Sequence, residues 1–408
     1  MTIARKQAGH VDHLRAASTS GEFPAAVVRS PVGEPGEHPG TVGPPGSRTE
    51  ATGESAGTAA DDLNRGRTRR ATVLAMCGLG AALFAVIIAA TGLGPVLVPP
   101  MTVARIISHH VLGLPAAPEW SAAQEAIVWR VRVPRVLLGA LVGATLAVAG
   151  AVLQTVVRNV LADPHLIGVT SGASTGAAVS LLFGVGAGGM LTASAFLGGL
   201  AATALVFVIA RLNGRLTALR LLLGGVTIGY LFSAATSFLI FASDSPEGAR
   251  AVLFWLLGSL GSAAWPAVAS TALVSLGCLV VLFLLATRLD ALAVGDDTAR
   301  TLGVDPMRLR ALTLALVALA VDAAVAVAGA IGFVGLIVPH VARLAVGAAH
   351  RRLLPASALL GAIFLVAADV LARMAFAPRE LPLGIVTAVV GAPLLLLLIR
   401  RYRTAEIS

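Results

Sequence analysis

The sequence predicts an all-α, polytopic membrane protein, and three observations support this. Hydrophobic residues make up 57% of the chain and charged residues only 12%, roughly half the charged share of a soluble domain. The apolar residues form long continuous runs, each near or above the ~20 residues that a helix needs to cross a bilayer. Because lipid satisfies no backbone polar group and the runs do not alternate, they predict spanning helices and not a β-barrel.

About ten membrane-spanning segments are predicted, and a short eighth segment is the least regular of them. It contains Pro339, so we expect it to be broken or partly re-entrant. The ten segments lie near residues 71–97, 135–157, 166–184, 190–210, 217–242, 265–287, 310–330, 331–346, 354–375 and 382–400.

The first 64 residues differ from the rest in composition. They are rich in Pro, Gly, Ser, Thr and Glu, and Phe23 is their only aromatic residue. Such a segment cannot bury enough apolar surface to offset its ordering entropy. We therefore expect residues 1–64 to form a disordered tail and residues 65–408 to form the membrane domain. The first apolar run starts near residue 71, too far along the chain for a signal peptide.

The distribution of arginine predicts the orientation in the membrane. If the tail is cytoplasmic, the loops on the inside carry 18 arginines and the loops on the outside carry 7. The positive-inside rule then favours both termini in the cytoplasm and an even number of spans. We expect the protein in the plasma (inner) membrane. This topology also accounts for the net charge of +9, so no nucleic-acid partner is expected.

Several kinds of chemistry are absent from the sequence. Lys6 is the only lysine, so the chain has no phosphate-binding loop of the kind that requires a lysine ammonium group. No metal-ligand cluster or cofactor motif is present, and we do not expect an enzyme. An intramembrane enzyme or a proton-coupled carrier stays an alternative that would need converging acids and bases within the spans.

Few polar residues lie inside the predicted spans. Gln154, Asp322 and Asp369 are the main ones, and buried ionisable groups in membranes are candidate functional sites. The alternative for Asp322 is a hydrogen bond between helices, and for Asp369 an ion pair with Arg373 one turn further on.

Small residues follow helical spacing in two of the spans. Gly143 and Gly150 lie in the second predicted span and Gly172 in the third. Small residues let helices approach closely in lipid, so helix packing is the favoured interpretation and a substrate-lined translocation path is the alternative.

Four stretches, in order along the chain, carry a resemblance to a known family. The first runs from Arg132–Arg135 to Ala173 and includes Gly143, Gly150, Gln154 and residues 158–164. The second is 254–261 and the third is 295–304. The fourth begins with 329–340 and continues through Arg343, Asp369, 380–384 and 391–393. Over about residues 71–403 the chain resembles the permeases of ferric-siderophore, haem and vitamin B12 ATP-binding-cassette (ABC) importers, the FecCD type. Val160 replaces the usual proline of one turn, and Ala349 replaces a common acidic residue.

The resemblance implies a set of partners and site residues. The partners are ATP-binding-cassette ATPase subunits, an extracytoplasmic binding protein, a second permease copy or paralogue, and membrane lipid. Arg132, Arg135 and Arg373 match positions that meet carboxylates of the binding protein, a pairing that guanidinium groups suit. The loop 288–309 matches the segment that couples to the ATPase, where Gly295, Ala299, Leu302 and Gly303 would present a close-fitting surface.

The resemblance also implies an importer, with a ferric siderophore as the first expected substrate. Haem and cobalamin are the alternatives, and a proton-coupled secondary transporter is a remote one.

Overall fold

The structure is a computed structural model that describes residues 51–94, 96–115, 119–184, 189–211 and 218–407. All the regular elements in these ranges are helices, which confirms the all-α prediction. The α-helices are Ala51–Gly92 (α1), Pro100–Leu112 (α2), Ala122–Glu125 (α3), Val133–Val157 (α4), Val169–Leu182 (α5), Gly189–Arg211 (α6), Ala218–Phe241 (α7), Pro246–Leu256 (α8), Trp265–Leu284 (α9), Ala286–Val294 (α10), Asp296–Thr301 (α11), Pro306–Ala328 (α12), Val334–Val346 (α13), His350–Met374 (α14) and Leu383–Ile407 (α15).

The ten predicted spans correspond one for one to apolar helices in the described ranges. Seven helical segments there are long and apolar enough to cross a membrane. Three shorter apolar helices, Val169–Leu182, Val334–Val346 and Leu383–Leu397, account for the others. Pro339 lies within α13 without breaking it. That helix is short because the chain before it turns through positive φ at Gly329 and Phe333.

The chain divides into two compact units, residues 1–60 and 61–408. Of the first unit, only residues 51–60 are described, as the start of α1. The expectation of disorder for residues 1–50 lies outside the described residues, and residues 51–64 are described as helical. No proline occurs between Pro45 and Pro95, and extending a helix that has already formed costs little per residue.

Two helices, α4 and α12, form the centre of the membrane unit. In their apolar windows 78% and 72% of the residues are buried, compared with 22% for α7 and for α9. The buried core continues into α5, α13 and α14. The exposed large apolar side chains of α7, such as Tyr230 and Phe238, suit a face that contacts lipid or another subunit.

Helices α4 and α14 are antiparallel neighbours. Arg135, at the start of α4, contacts Asp369 near the end of α14, and Thr155, near the end of α4, contacts His350 at the start of α14. Between these contacts the two helices cross at Gly143 and Gly361, where a Cβ atom on either glycine would overlap the other's carbonyl oxygen. At 1.5 Å per residue, the two contacts are about 30 Å apart, the thickness of a bilayer core.

Candidate functional site

A group of charged residues, here called the arginine cluster, joins the start of α4 to the end of α14. It consists of Arg132, Arg135, Asp369, Arg373 and Glu380. Arg135 donates from Nε to Asp369 Oδ1 at 2.9 Å, and its two Nη atoms each donate to an oxygen of Glu380 at 3.0 Å. The Arg135 side chain is 7% exposed and that of Glu380 is 43% exposed. Arg135 therefore bridges one buried and one half-exposed carboxylate.

Arg373 lies on the other side of Asp369. Its Nε is 3.0 Å from Asp369 Oδ2, but the contact is not aligned as a hydrogen bond. Its Nη atoms donate to the carbonyl oxygens of Leu93 and Ala90. The ion pair between Asp369 and Arg373 that their spacing suggests is therefore present, and the same arginine fastens the end of α1.

Arg132 caps the end of α1. Its Nη1 donates to the carbonyl oxygens of Thr91 and Gly92 at 3.1 and 2.9 Å, and its Nη2 donates to that of Val96. The last carbonyls of a helix have no partner within it. A cation there also interacts favourably with the negative end of the helix dipole. The guanidinium group lies so close to Gly94 that a side chain there would overlap it.

The structure thus brings the three predicted docking arginines together but buries them. Arg132, Arg135 and Arg373 are 4%, 6% and 4% exposed, and their partners are carbonyl and carboxylate groups of this chain. The sequence places the arginines at helix ends, but it does not show that Asp369, Glu380 and the end of α1 occupy them. The docking role itself stays a prediction.

A second polar region is the connecting segment, residues 286–305. It consists of α10, α11 and the turn before α12. Asp296 accepts hydrogen bonds from both Nη atoms of Arg310 at 2.9 and 2.7 Å, and from Nη2 of Arg158 at 2.6 Å. Arg310, followed by Arg158 and Arg300, lowers the pKa of the Asp296 carboxyl group. Because Arg158 ends α4 and Arg310 lies in α12, this one carboxylate holds α11 to the two central helices.

The four predicted coupling residues have different environments. Leu302 is 66% exposed, whereas Ala299 is fully buried, so Ala299 cannot belong to a contact surface. Gly303 has φ +76°, a conformation that favours glycine, whereas Gly295 is extended at φ 163°. A cavity of about 510 Å³ lies beside Leu302 and Gly303, with Arg288 and Arg308 on its walls.

A hydrogen-bonded chain of three side chains connects the connecting segment to α4 and α14. Asp290 Oδ1 accepts from the backbone N of His350 at 2.9 Å and lies 2.6 Å from its Nδ1. The His350 Nε2 lies 2.8 Å from Oγ1 of Thr155. Ala349 is at the N-cap position of α14, and its side chain cannot accept a hydrogen bond. Asp290 of α10 accepts one from the start of α14 instead. Sequence analysis missed this arrangement, and the one available signal was Ala349 in place of an acidic residue.

The small residues singled out in the sequence lie at helix crossings. A Cβ atom on Gly143 would overlap Gly361 O, one on Gly150 would overlap Gly335 O, and one on Gly172 would overlap Gly198 O. All three positions are buried. The structure therefore supports helix packing at these positions and does not place them on an open path.

Gln154 also joins helices. Its Nε2 donates to the carbonyl oxygens of Gly335 and Leu336 at 3.3 and 3.2 Å, and its Oε1 accepts from Arg343 at 2.7 Å. The two carbonyls lie in the first turn of α13. In the described part of the chain, no group of three or more His, Cys, Asp or Glu residues could hold a metal ion.

Comparison with known proteins decides the family. The sequence profile of the FecCD transport family matches residues 82–401. The chain belongs to the FecCD transport family. A vitamin B12 import system permease protein, BtuC of Vibrio cholerae, is 43% identical over 286 residues, which cover 69% of this chain and 86% of that protein. The hemin transport system permease protein HmuU of Yersinia pestis is 39% identical over 294 residues, covering 70% and 87%.

A solved structure agrees with this assignment. It is described as an inward-facing conformation of a metal-chelate type ABC transporter, and it covers 80% of this chain and 98% of its own at a TM-score of 0.70 and 35% identity. The FecCD chain is therefore a polytopic membrane permease of the ABC importer type, and the resemblance read from the sequence motifs is confirmed.

Proposed function

We propose that this FecCD permease carries a large metal chelate across the plasma membrane into the cytoplasm, driven by separate ATPase subunits. The observation that supports this most is the extent of the family match, which covers residues 82–401 and so includes both the arginine cluster and the connecting segment. The antiparallel pair α4 and α14 links these two regions across about 30 Å. In this proposal the arginine cluster faces outward and both termini face the cytoplasm.

The arginine cluster is the proposed docking site for an extracytoplasmic binding protein. Arg135 is the best placed of the three arginines because its partner Glu380 is half exposed. A carboxylate of the binding protein would exchange with Glu380 on the Arg135 guanidinium group, whose paired N–H groups suit bidentate contact. Arg132 and Arg373 would act indirectly by holding the end of α1 in place.

The connecting segment is the proposed contact for the ATPase subunits. Leu302 and Gly303 form its exposed turn, and the cavity beside them offers a concave surface with two arginines. Movement of this turn would reach α12 and α4 through Asp296 and would reach α14 through Asp290. A second permease copy, with the translocation path between the copies, belongs to the same proposal, and the exposed apolar face of α7 is compatible with it.

The substrate is proposed as a class, metal chelates, with three candidates. A ferric siderophore is the candidate from the sequence analysis. Cobalamin is the second candidate, because a 43% identical relative is named as a vitamin B12 import permease. Haem is the third substrate to be tested, since another relative is named for hemin.

The test is uptake of radiolabelled ferric siderophores, cobalamin and haem, in parallel, by cells lacking the gene and by the same cells after complementation. Loss and recovery of one chelate's uptake supports import and names the substrate. Unaffected uptake of all three, in cells without a redundant system, contradicts the metal-chelate proposal. Uptake that persists without the ATPase subunit indicates a secondary transporter instead.

A further inference from the structure

Asp322 is a fully buried carboxyl group in α12, six residues before the end of that helix. Neither of its oxygens accepts a hydrogen bond from any residue that the structure describes. The hydrogen bond between helices that the sequence suggested is therefore not formed. An unpaired charge buried in a membrane helix is costly, and such a group usually becomes neutral instead.

The carboxyl group lies against α6 at Gly199. A Cβ atom on Gly199 would overlap Asp322 Oδ1, and the same point lies 3.4 Å from the carbonyl oxygen of Val169. The missing side chain of Gly199 thus provides the space that the acid occupies. The neighbouring polar atom is another acceptor, which repels an ionised carboxylate but accepts a hydrogen bond from a protonated one.

None of the charged or titratable residues that the structure describes on the helices packed against α12 is paired with Asp322. Helix α5 contains none, and α6 contains only Arg211, 12 residues from Gly199 and therefore about 18 Å along the helix. The only charged or titratable residue of α4 is Arg135, which is bound to Asp369 and Glu380. The only one of α9 is Cys278. In the turn after α4, His165 contacts Thr170 and the carbonyl oxygen of Ile331.

The residues of α11 and the first turn of α12 are at the far end of the helix. Arg310 is 12 residues before Asp322 and is bound to Asp296. Thr203 lies one turn from Gly199 on the same face of α6. Its hydroxyl group is also buried and has no hydrogen-bond partner among the described residues. The contact between α6 and α12 at Gly199 therefore holds a buried acid, with no cation described beside it.

We propose that Asp322 is a proton-binding site: it is protonated in the folded protein at neutral pH, and this proton keeps α6 and α12 in contact at Gly199. The occupant is a proton and not a metal ion, because the described surroundings offer a single acid and no second carboxylate. This inference does not depend on the transported substrate.

The first experiment is infrared spectroscopy of the full-length protein in phospholipid nanodiscs at pH 7. The wild type and Asp244→Asn, which alters an exposed loop aspartate, are expected to show the C=O stretching band of a protonated carboxylic acid. Asp322→Asn is expected to lack this band. Identical spectra for the wild type and Asp322→Asn would overturn the proposal.

The second experiment is thermal unfolding between pH 6 and pH 9. If the folded state holds a proton that the unfolded chain releases, stability falls as the pH rises. The melting temperature of Asp322→Asn should therefore fall less with pH than that of the wild type or Asp244→Asn. Equal slopes for all three would contradict the proposal, and so would a sodium-dependent rise in melting temperature that Asp322→Asn abolishes.

Asp322→Leu is a second replacement, which keeps the proposal testable if Asp322→Asn does not fold. A neutral acid should tolerate a neutral apolar replacement of similar size, so this variant is expected to fold and to melt at pH 7 no lower than Asp322→Asn. If both replacements prevent folding while Asp244→Asn folds, the carboxylate charge is needed and the proposal is wrong.

Discussion

Arg135 and Asp369 form a buried ion pair with a 2.9 Å hydrogen bond, although 234 positions separate them in the sequence. Asp369 is also the ion-pair partner of Arg373, so one buried carboxylate balances two guanidinium groups. The half-exposed Glu380 supplies the second negative charge. This arrangement fixes the end of α14 against the start of α4 and makes Asp369 the residue on which the arginine cluster depends.

Replacing Asp369 with Asn should lower thermal stability sharply. Removing one partner of a buried pair leaves an uncompensated charge, at a cost of about 3–5 kcal/mol. The matched control is Glu380→Gln, whose half-exposed carboxylate should cost about 1 kcal/mol or less. Thermal unfolding in detergent measures both effects. Equal loss of stability in the two variants would show that Asp369 is not the centre of the cluster.

The sequence was sufficient to predict the ten apolar helices, because hydrophobic runs and the thickness of a bilayer determine them directly. It also predicted the close packing at Gly143, Gly150 and Gly172, since small residues at helical spacing have few other uses in a membrane. The short span α13 was marked by Pro339. The physical cause of its shortness is the turn at Gly329 and Phe333, which no sequence pattern indicated.

The burial of the arginines could not be predicted in the same way. An arginine near the end of a span is equally compatible with a free guanidinium group and with one that caps a neighbouring helix. Arg132 does the latter at α1, a contact across 41 positions that local sequence does not specify. The pairing of Asp290 with His350 was missed for the same reason, because the cap and the helix it caps are 60 residues apart.

For the proposed ATP-driven importer, replacing Asp296 with Asn should reduce uptake several-fold. The variant leaves Arg310 and Arg158 without their shared carboxylate, so that α11 is no longer held to α12 and α4. The control is the next residue, Asp297→Asn, whose side chain is 98% exposed and pairs only with Arg300 among the described residues. Uptake per assembled complex is the measurement, and equal defects in both variants would contradict the role of Asp296.

The same carboxylate gives a pH prediction. Arg310 lowers the pKa of Asp296, so its contribution to stability is present above the unfolded pKa of about 3.9 and is lost as the pH falls through the lower, folded value. In Arg310→Gln the pKa should return toward its ordinary range, so the folded and unfolded values come closer together and less stability should be lost on acidification. Melting temperatures from pH 6 to pH 3 measure this. Parallel curves for the wild type and the variant would contradict the prediction.

Gly303 should tolerate Asn better than Ala. Its φ of +76° costs an ordinary L-residue about 1–2 kcal/mol, but asparagine adopts the left-handed region more readily. Nothing within 4 Å would contact an added Cβ, so the strain and not a collision decides the result. Gly303→Glu should in addition abolish uptake by disturbing the proposed ATPase contact.

The control for Gly303 is Gly295→Ala, because Gly295 is in the extended region, where its replacement should leave the melting temperature unchanged. Equal stability of Gly303→Ala and Gly303→Asn would show that the turn does not impose the strain. Normal uptake and normal copurification of the ATPase with Gly303→Glu would count against the coupling role.

Gly150→Ala should be among the most damaging single-methyl changes in the chain. The added Cβ would overlap the carbonyl oxygen of Gly335 in the backbone, which cannot rotate away as a side chain can. Overpacking of this kind costs about 1–3 kcal/mol or more, and the strain would also reach Gln154, which binds the same carbonyl. Gly80→Ala in α1 is the matched control, because nothing lies within 4 Å of its added Cβ and alanine favours a helix by about 1 kcal/mol. A melting temperature of Gly150→Ala equal to that of Gly80→Ala would mean that α4 and α13 can separate without loss, and that their crossing is not what fixes α13 in place.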